Sequence, residues 1–312
     1  MEMKICIFGG SGSFGTAMTR KLLNNTTADI IIYSRNEKSQ FEHKNKFNSD
    51  RLKYIIGDIR DYNAVYNALD GVDYVMLASA MKHIDKCELN PSECKKTNID
   101  GCINVINASI EKNVKKLVFL STDKATNPVT IYGCSKLFLE MYCKNVDNKN
   151  TDILITRYGN VFGSNGSVVW LFNKLAKENK PLTITNPDMT RFFMSIDEAV
   201  DLVLFALKNG KHGDLWVYNN KSCTIQELAD LFSDKQEIIG CRCEEKTDEA
   251  LLSVYELNHS ELIDKKYFRI NKEIESDIIY GVPFQSDNAD RLTKKELQEL
   301  LESWREYEDD RV

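Results

Sequence analysis

The sequence predicts an α/β fold: a Rossmann-like, doubly wound parallel sheet with a smaller C-terminal substrate-binding region. Three observations support this prediction. Short apolar runs alternate with stretches of helical spacing through the first half of the chain, which implies a parallel sheet covered on both faces. The first apolar run leads directly into the glycine-rich stretch "GGSGSFG". Polar and reactive residues follow a later apolar run, where ligands bind in such sheets.

The elements of residues 1–160 follow this alternation, and we predict that these residues form a dinucleotide-binding domain to which later segments return. The expected strands are "KICIFGG", "DIIIYSR", "RLKYIIGDIRD", "VDYVMLASA" and "VKKLVFLST". The expected helices are "GTAMTRKLLN", "NAVYNALDG" and "NIDGCINVINASIEKN". Residues 161–312 are assigned mainly to substrate binding and to a helical tail. In that tail, Thr293 and Glu296 predict a capping box at the start of the last helix.

Composition narrows the possible partners. A net charge of −6 disfavours nucleic acid, although local basic spots can bind a small anion. No apolar run reaches about 18 residues, so we expect no membrane-spanning segment. The nine cysteines are odd in number and irregularly spaced, which argues against a disulfide framework and favours a cytoplasmic location. The Cys241 and Cys243 pair lacks further ligands nearby, so we expect no metal site.

The glycine-rich stretch predicts a site for a dinucleotide. Gly9, Gly12 and Gly15 lie between the first strand and the first helix, where glycines permit a tight turn and a close backbone approach. The helix N-terminus then offers N–H groups to a pyrophosphate. Ser13 and Phe14 belong to the same loop and are expected cofactor contacts. The alternative interpretation is a glycine turn that serves packing only.

The end of the second strand favours NADP over NAD. NAD binding favours a carboxylate there, whereas the 2′-phosphate of NADP favours cations. In "YSRNEKS", the donors Ser34, Arg35 and Lys38 can surround a phosphate, and Glu37 is the only nearby acid. The alternative is that Arg35 is a solvated strand-end charge. After the third strand, Asp58 is expected to accept from the adenine amino group, unless it only forms a turn.

A third group of residues lies in "STDKATNPVTIYGCSK", from Ser121 to Lys136. The Tyr132-x-x-x-Lys136 spacing places both side chains on one face of a helix. A nearby ammonium is expected to lower the phenol pKa and to hold a ribose hydroxyl. That arrangement suits proton removal from a secondary alcohol during hydride transfer to a nicotinamide. The spacing alone is common, but the preceding dinucleotide loop makes it informative.

Taken together, the motifs resemble a known family. The chain is similar to extended short-chain dehydrogenases/reductases, and more narrowly to inverting UDP-N-acetylglucosamine 4,6-dehydratases. The matching segments cover nearly the whole chain: "GGSGSFG", "YSRNEKS", "GDIRD", "KHID", "NPSECKKTNIDG", "STDKATNPVTIYGCSK", "RYGNVFGSNGSVV", "MTRFFMSIDEAV" and "SDNADRLTKKELQELL". The segment "GCRCEEKTDE" departs from the usual pattern "GIRPGEKLHE".

This resemblance implies a role for each reactive residue. Tyr132 and Lys136 would oxidise C4 of the sugar, with Thr122 as a hydrogen-bonding partner. Lys124 would remove the C5 proton, and Asp123 would protonate the departing C6 hydroxyl. Return of the C5 proton to the opposite face gives inversion, and retaining relatives carry glutamate in place of Lys124. We expect burial beside Lys136 to depress the pKa of Lys124. The alternative is a turn with solvated charges.

The resemblance also implies binding residues, any of which could instead be a surface ion pair or a packing residue. The further cofactor contacts are Ile59, Ala78 and Lys82. The substrate contacts are Lys82, Asn160, Val168, Arg191, Arg242 and Glu245.

The function predicted from the sequence is NADP-dependent 4,6-dehydration of UDP-N-acetylglucosamine with C5 inversion, supplying deoxyamino-sugar and surface glycan synthesis. A homo-oligomer is expected, because family members pair through helices next to the active site. A UDP-sugar 4-epimerase is the alternative enzyme, since it needs Tyr132 and Lys136 but no base at Lys124. An NADP-sensing protein without turnover is the third possibility, and it would tolerate loss of Tyr132.

Overall fold

The computed structural model describes residues 3–241, 244–276 and 280–309, with the side chains of 308 and 309 left aside. A nine-stranded sheet forms the centre of the fold. The strands are β1 (Lys4–Phe8), β2 (Asp29–Ser34), β3 (Leu52–Ile56), β4 (Tyr74–Leu77), β5 (Lys116–Leu120), β6 (Asp152–Arg157), β7 (Asn160–Val161), β8 (Leu182–Ile184), β9 (Thr190–Met194), β10 (Leu215–Tyr218), β11 (Lys221–Thr224), β12 (Gln236–Ile238), β13 (Ala250–Leu252), β14 (Ser260–Ile263), β15 (Tyr267–Ile270) and β16 (Phe284–Gln285).

Helices cover both faces of this sheet and build the C-terminal region. They are α1 (Ser13–Asn25), α2 (Glu37–Phe47), α3 (Tyr62–Ala68), α4 (Ile84–Leu89), α5 (Pro91–Cys94), α6 (Cys102–Glu111), α7 (Ile131–Asn145), α8 (Val168–Lys177), α9 (Ile196–Asn209), α10 (Ile225–Ala229), α11 (Val254–Leu257) and α12 (Lys294–Asp309). A π-helical segment, Lys95–Gly101, joins α5 to α6, and a short 3₁₀ turn, Asp123–Ala125, follows β5. None of the described helices is long and apolar enough to cross a membrane.

The predicted α/β class and parallel sheet are confirmed. The strand order is β14-β15-β10-β6-β5-β4-β1-β2-β3, and the strands from β3 to β10 in this order run parallel. Strands β15 and β14 add to one edge in antiparallel orientation. The chain reverses its direction of strand addition between β1 and β4, and ligands of such sheets bind at this switch point.

Strand β1 shows why its sequence is apolar without alternation. Cys6 and Phe8 belong to the apolar core on one face of the sheet, whereas Ile5 and Ile7 belong to the core on the other. All four side chains are buried. A strand covered on both faces has no solvent-facing position, so each residue must be apolar.

The C-terminal half contributes smaller sheets and a third apolar core. The smaller sheets are β11-β9-β7, β12-β8 and β13-β16. Helix α12 packs here through Trp304, whose ring lies 5.4 Å from that of Trp170. A Cβ on Gly163, which has a φ of +66°, would lie 2.0 Å from the Trp304 ring. Near the end of α12, the Tyr307 hydroxyl donates to the carbonyl of Ser13 at 3.3 Å. The tail therefore packs against the fold and touches the glycine-rich loop.

A buried ionic cluster links the central sheet to the C-terminal half. Arg157, which is 1 % exposed, ends β6 and donates from Nε to Glu140 on α7 at 2.9 Å. Its Nη2 donates to Glu256 on α11 at 2.7 Å, and its Nη1 donates to the carbonyl of Leu251 at 2.8 Å. One guanidinium on β6 thus connects α7 to the adjacent elements β13 and α11, which lie about 100 residues further along the chain.

Candidate active site

A cleft of about 710 Å³ lies at the carboxyl ends of the parallel strands. Loops after each of the strands β1 to β5 form its wall, together with residues between Tyr158 and Asn165. The predicted site residues that line it are Gly9, Gly12, Ser13, Phe14, Ser34, Arg35, Ile59, Ala78, Lys82, Thr122, Lys124, Tyr132, Lys136 and Asn160. The fold therefore gathers into one cavity residues that the sequence distributes over more than 150 positions.

The glycine-rich loop has the backbone shape that a dinucleotide requires. Gly9 has a φ of +83°, and a Cβ there would lie 3.0 Å from the backbone of Ala78. A Cβ on Gly15 would lie 2.3 Å from the carbonyl oxygen of Gly10, so only glycine fits. Gly12 caps α1 without a side-chain hydrogen bond, which leaves N–H groups of the first turn accessible to an anion. These residues fit a pyrophosphate.

The end of β2 supplies donors to the same cleft. The Ser34 hydroxyl accepts from Ser11 Oγ at 2.9 Å and from Gln40 Nε2 at 3.0 Å. Arg35 is 54 % exposed at its side chain, and its Nη1 lies 3.6 Å from Asp58 Oδ2. Lys38, in contrast, lies outside the cleft lining and pairs with Glu42. Only two of the three predicted donors therefore line the cavity.

Asp58, the predicted adenine contact, follows β3 as expected but lies outside the cleft lining, so its role stays a prediction. Its carboxylate accepts from Arg60 Nη2 at 2.7 Å and Nε at 3.0 Å, and it does not line the cleft. Burial acts to raise the pKa of Asp58, but the hydrogen bonds and charge of Arg60 lower it below its ordinary value. The neighbouring Ile59 does line the cleft. The carboxylate is thus engaged by arginines, whereas an apolar side chain meets the cavity.

The chain after β5 brings together four reactive side chains. Thr122 Oγ1 donates to Asp123 Oδ1 at 2.8 Å, and Lys124 Nζ donates to the same oxygen at 3.1 Å. Tyr132 lines the cleft, and it is close enough to Thr122 for that side chain to affect the pKa of the phenol. Asp123 does not line the cleft: it is 1 % exposed, and its Oδ2 is buried without a hydrogen-bond partner. Its role as the acid stays a prediction. Hydrogen bonds therefore connect Thr122 to Lys124 through Asp123, and Tyr132 lies beside Thr122.

Tyr132 and Lys136 both line the cleft from α7, but the pKa expected for Tyr132 was wrong. Burial raises the pKa of the phenol and Asp123 raises it further, although the hydrogen bond with Thr122 opposes this. The ammonium of Lys136 donates to the carbonyl of Leu120 at 2.7 Å and lies over the Phe119 ring. Burial lowers the pKa of Lys136. The Lys136 ammonium therefore contacts a backbone carbonyl, and burial is the largest influence on the pKa of Tyr132.

The expectation for the pKa of Lys124 was also wrong. Burial lowers this pKa, as predicted, but the carboxylates of Asp123 and Glu249 outweigh burial and raise it above its ordinary value. Arg191, rather than Lys136, is the cation that acts in the lowering direction. Lys124 is therefore an ammonium group held between two buried carboxylates.

Glu249 is the residue of this cluster that sequence reasoning missed. It is 4 % exposed, and its Oε1 lies 3.5 Å from Lys124 Nζ. Its Oε2 lies 3.4 Å from Lys246 Nζ, which donates to the carbonyl of Thr126 at 2.9 Å. The segment "GCRCEEKTDE" drew attention because it departs from a familiar pattern. The altered pattern does not indicate which acidic residue of this segment contacts Lys124.

The other predicted substrate residues that the structure describes do not line the cleft. Arg191 donates to the carbonyls of Thr190, Lys246 and Thr247 at 2.7–2.9 Å, so it holds the loop that carries Glu249. Val168 begins α8, outside the cleft. Glu245 also lies outside the lining. The prediction for Arg242 falls outside the described residues. Their roles in binding stay predictions.

Two cleft loops that the sequence did not connect approach each other closely. A Cβ on Gly166, which has a φ of +72°, would lie 2.5 Å from His83 Cε1. His83 and Lys86 follow β4, whereas Ser164 and Asn165 follow β7, and all four line the cleft. In the sequence, the glycines of "FGSNGS" were the feature that could have indicated this close approach of two loops. Within the described part of the chain, no group of three or more His, Cys, Asp or Glu residues could hold a metal ion.

Several known proteins resemble this chain in sequence or in fold. A family model described as "Polysaccharide biosynthesis protein" matches residues 5–272. The UDP-glucose 4-epimerase of Rickettsia massiliae (strain Mtu5) is 38 % identical over 96 % of both chains. The X-ray structure of Pen from Bacillus thuringiensis is 32 % identical, has a TM-score of 0.91 and covers 97 % of this chain and 98 % of its own. DesIV, a dTDP-glucose 4,6-dehydratase from Streptomyces venezuelae with NAD and TYD bound, is 20 % identical, with a TM-score of 0.72 over 78 % of this chain and 87 % of its own, and shares the fold.

Proposed function

Because this chain belongs to the polysaccharide biosynthesis protein family and is an enzyme of the nucleotide-sugar epimerase and dehydratase group, we propose that it dehydrates UDP-N-acetylglucosamine at C4 and C6 with inversion at C5. One observation carries the proposal beyond the family. Lys124 and Tyr132 both line the cleft, and the Lys124 amine donates a hydrogen bond to Asp123, which also accepts one from Thr122. A 4-epimerase needs Tyr132, whereas an elimination also needs an acid and a base beside it.

The cleft suits NADP as the cofactor. The glycine-rich loop and the first turn of α1 would hold the pyrophosphate. Ser34 and Arg35 would hold the 2′-phosphate, and Lys136 would hold a ribose hydroxyl. When bound, the nicotinamide supplies reversible hydride transfer with the sugar. Lys82 and Asn160 also line the cleft and are proposed substrate contacts.

In the proposed reaction, Tyr132, Lys124 and Asp123 each transfer one proton to or from the sugar. Tyr132 takes the proton of the C4 hydroxyl, with Thr122 as its partner. In the elimination, the C5–H bond breaks and its proton passes to Lys124. The C6–O bond breaks in the same elimination, and Asp123 protonates the departing oxygen, which leaves as water. Afterwards Lys124 is an ammonium and Asp123 is a carboxylate, which is the ion pair that the structure contains.

Two transfers would complete the product: the hydride taken from C4 would return to C6, and the proton that Tyr132 took from the C4 hydroxyl, or one from solvent in exchange for it, would reach C5 on the opposite face. Return to the reactive state then requires one proton to move from Lys124 Nζ to Asp123 Oδ1. The two atoms are 3.1 Å apart and already share a hydrogen bond. The net charge of the pair does not change, so a buried environment penalises this transfer far less than the loss of a lone proton. The raised pKa of Lys124 is therefore compatible with a base that is reset by its neighbour.

A UDP-sugar 4-epimerase is the second candidate function. Two observations favour it: the Rickettsia relative is named UDP-glucose 4-epimerase, and an ammonium at Lys124 cannot accept a proton. In this reaction, Tyr132 alone would carry the C4 proton, and Lys124 would only bind the sugar. The two candidates differ in the bonds that change at C5 and C6.

Mass spectrometry of UDP-N-acetylglucosamine incubated with the protein and NADP separates the functions. Loss of one water supports dehydration, an isomer of unchanged mass supports epimerisation, and unaltered substrate supports an NADP-sensing protein. In heavy water, dehydration incorporates deuterium at C5. We expect Lys124→Met to lower this incorporation by about 10²-fold, because it removes the base. Incorporation at the wild-type rate in that variant would remove Lys124 from the role.

We expect Arg35→Ala to weaken NADP binding by about tenfold or more while leaving NAD binding nearly unchanged. The reason is the loss of a charge-assisted hydrogen bond to the 2′-phosphate, worth about 1.5–3 kcal/mol. Isothermal titration with each dinucleotide measures both affinities. Lys38→Ala is the matched control, since Lys38 follows the same strand but lies outside the cleft. Equal losses for NAD and NADP in Arg35→Ala would contradict 2′-phosphate recognition.

A further inference from the structure

We propose that Glu249 is a positioning residue of the active site that acts through Lys124, by holding the Lys124 amine beside Asp123 at the cleft wall. The inference rests on the proposed function for the part played by Lys124. Glu249 does not line the cleft, and its contact with the cleft wall is through Lys124, which does. Its influence passes through the 3.5 Å contact between its Oε1 and Lys124 Nζ.

The fold holds the Glu249 backbone rigidly. Its N–H donates to Ser286 Oγ at 2.9 Å, and its carbonyl accepts from the N–H of Ser286 at 2.8 Å. Ser286 also donates to the carbonyl of Thr190 at 3.1 Å. The following residues form β13, which packs against the turn that contains Lys124. The C-terminal half thus delivers a buried carboxylate to the reactive turn at a fixed place.

Charges from several elements converge on the Lys124 amine. Asp123 acts from its own turn, Glu249 from the segment before β13, and Arg191 from β9. Lys246 meets Glu249 from the opposite side, at 3.4 Å. Without Glu249, the Lys124 amine would keep one carboxylate contact and remain under the repulsion of Arg191. Glu249 therefore both orients the amine and favours its protonated form.

The test measures the protonation midpoint of the Lys124 amine directly, without substrate. Competitive acetylation of the folded protein across a pH series, read by peptide mass spectrometry, gives this midpoint for each lysine. We expect Glu249→Gln to lower the Lys124 midpoint by about one pH unit, because an opposite charge within 4–6 Å is lost. Below the midpoint, the labelling rate at fixed pH then rises about tenfold. Glu249→Asp keeps the charge and is expected to retain most of the wild-type value.

Glu244→Gln is the matched control, since Glu244 is exposed in the same segment. An unchanged Lys124 midpoint in a folded Glu249→Gln protein, or an equal shift in Glu244→Gln, would overturn the inference. The pH profile of C5 deuterium incorporation separates this result from the proposed function. If Lys124 is the base, the acidic limb of that profile moves to lower pH together with the labelling midpoint. A shifted midpoint with an unmoved limb leaves Glu249 in its role and removes Lys124 as the base.

Discussion

Replacing Tyr132 with phenylalanine is expected to lower turnover of UDP-N-acetylglucosamine by about 10²- to 10⁴-fold, the usual contribution of a positioned general base or acid. The change removes one oxygen, that of a phenol that lines the cleft together with Thr122 and Lys124. Burial keeps the pKa of the phenol high, so the free enzyme holds Tyr132 as a neutral hydroxyl and proton exchange with the substrate depends on groups around it in the cleft. The measurement is the initial rate of product formation, by mass spectrometry, at saturating cofactor.

The same helix provides a control for this experiment. Tyr142 lies on α7, and its hydroxyl donates to Asn107 Oδ1 at 2.8 Å, outside the cleft. Tyr142→Phe is expected to keep nearly full turnover, and both variants are expected to bind NADP normally. A Tyr132→Phe protein that works at the wild-type rate would show that another group moves the C4 proton, or that the chain is a sensor without turnover.

Much of this cleft could be predicted from the sequence because its parts are local patterns. A parallel sheet places the carboxyl ends of its strands at one edge, so residues that directly follow apolar runs are expected to meet. Gly9, Arg35 and Lys124 obey this rule, and all three line the cleft. The helical spacing of Tyr132 and Lys136 is a further local signal. These predictions needed no knowledge of how the second half of the chain packs.

The parts that failed depend on contacts between distant segments. Sequence proximity suggested Lys136 as the charge that tunes Lys124, but the fold directs Lys136 to the carbonyl of Leu120. The same fold brings Glu249 to Lys124 from the other half of the chain. Lys38, a predicted cofactor contact, lies one helical turn past the strand end and pairs with Glu42 outside the cleft lining, so its role stays a prediction. Charge state is a property of the tertiary environment and cannot be read from neighbours in sequence.

Replacing Arg157 with methionine is expected to lower the free energy of unfolding by about 3–5 kcal/mol. Methionine fills much of the volume but leaves Glu140, which is 0 % exposed, as a buried carboxylate without its cationic partner. It also releases Glu256 and the carbonyl of Leu251, which tie the C-terminal half to β6. Urea unfolding of the two proteins at pH 7, followed by circular dichroism, measures the difference.

Two further measurements decide whether the unpaired Glu140 carboxylate causes the loss of stability in Arg157→Met. The double variant Glu140→Gln, Arg157→Met is expected to be more stable than Arg157→Met alone, because no unpaired carboxylate remains at position 140. Burial acts to raise the pKa of Glu256, but Arg157 holds it at about 2, below the ordinary value of 4.5. A depressed folded-state pKa stabilises above pH 4.5, and this contribution is lost as the pH falls towards 2. The difference in free energy of unfolding between wild type and Arg157→Met should therefore become smaller as the pH falls from 4.5 towards 2. A deficit that stays constant there, with no rescue in the double variant, would mean that Arg157 stabilises the fold through packing rather than charge.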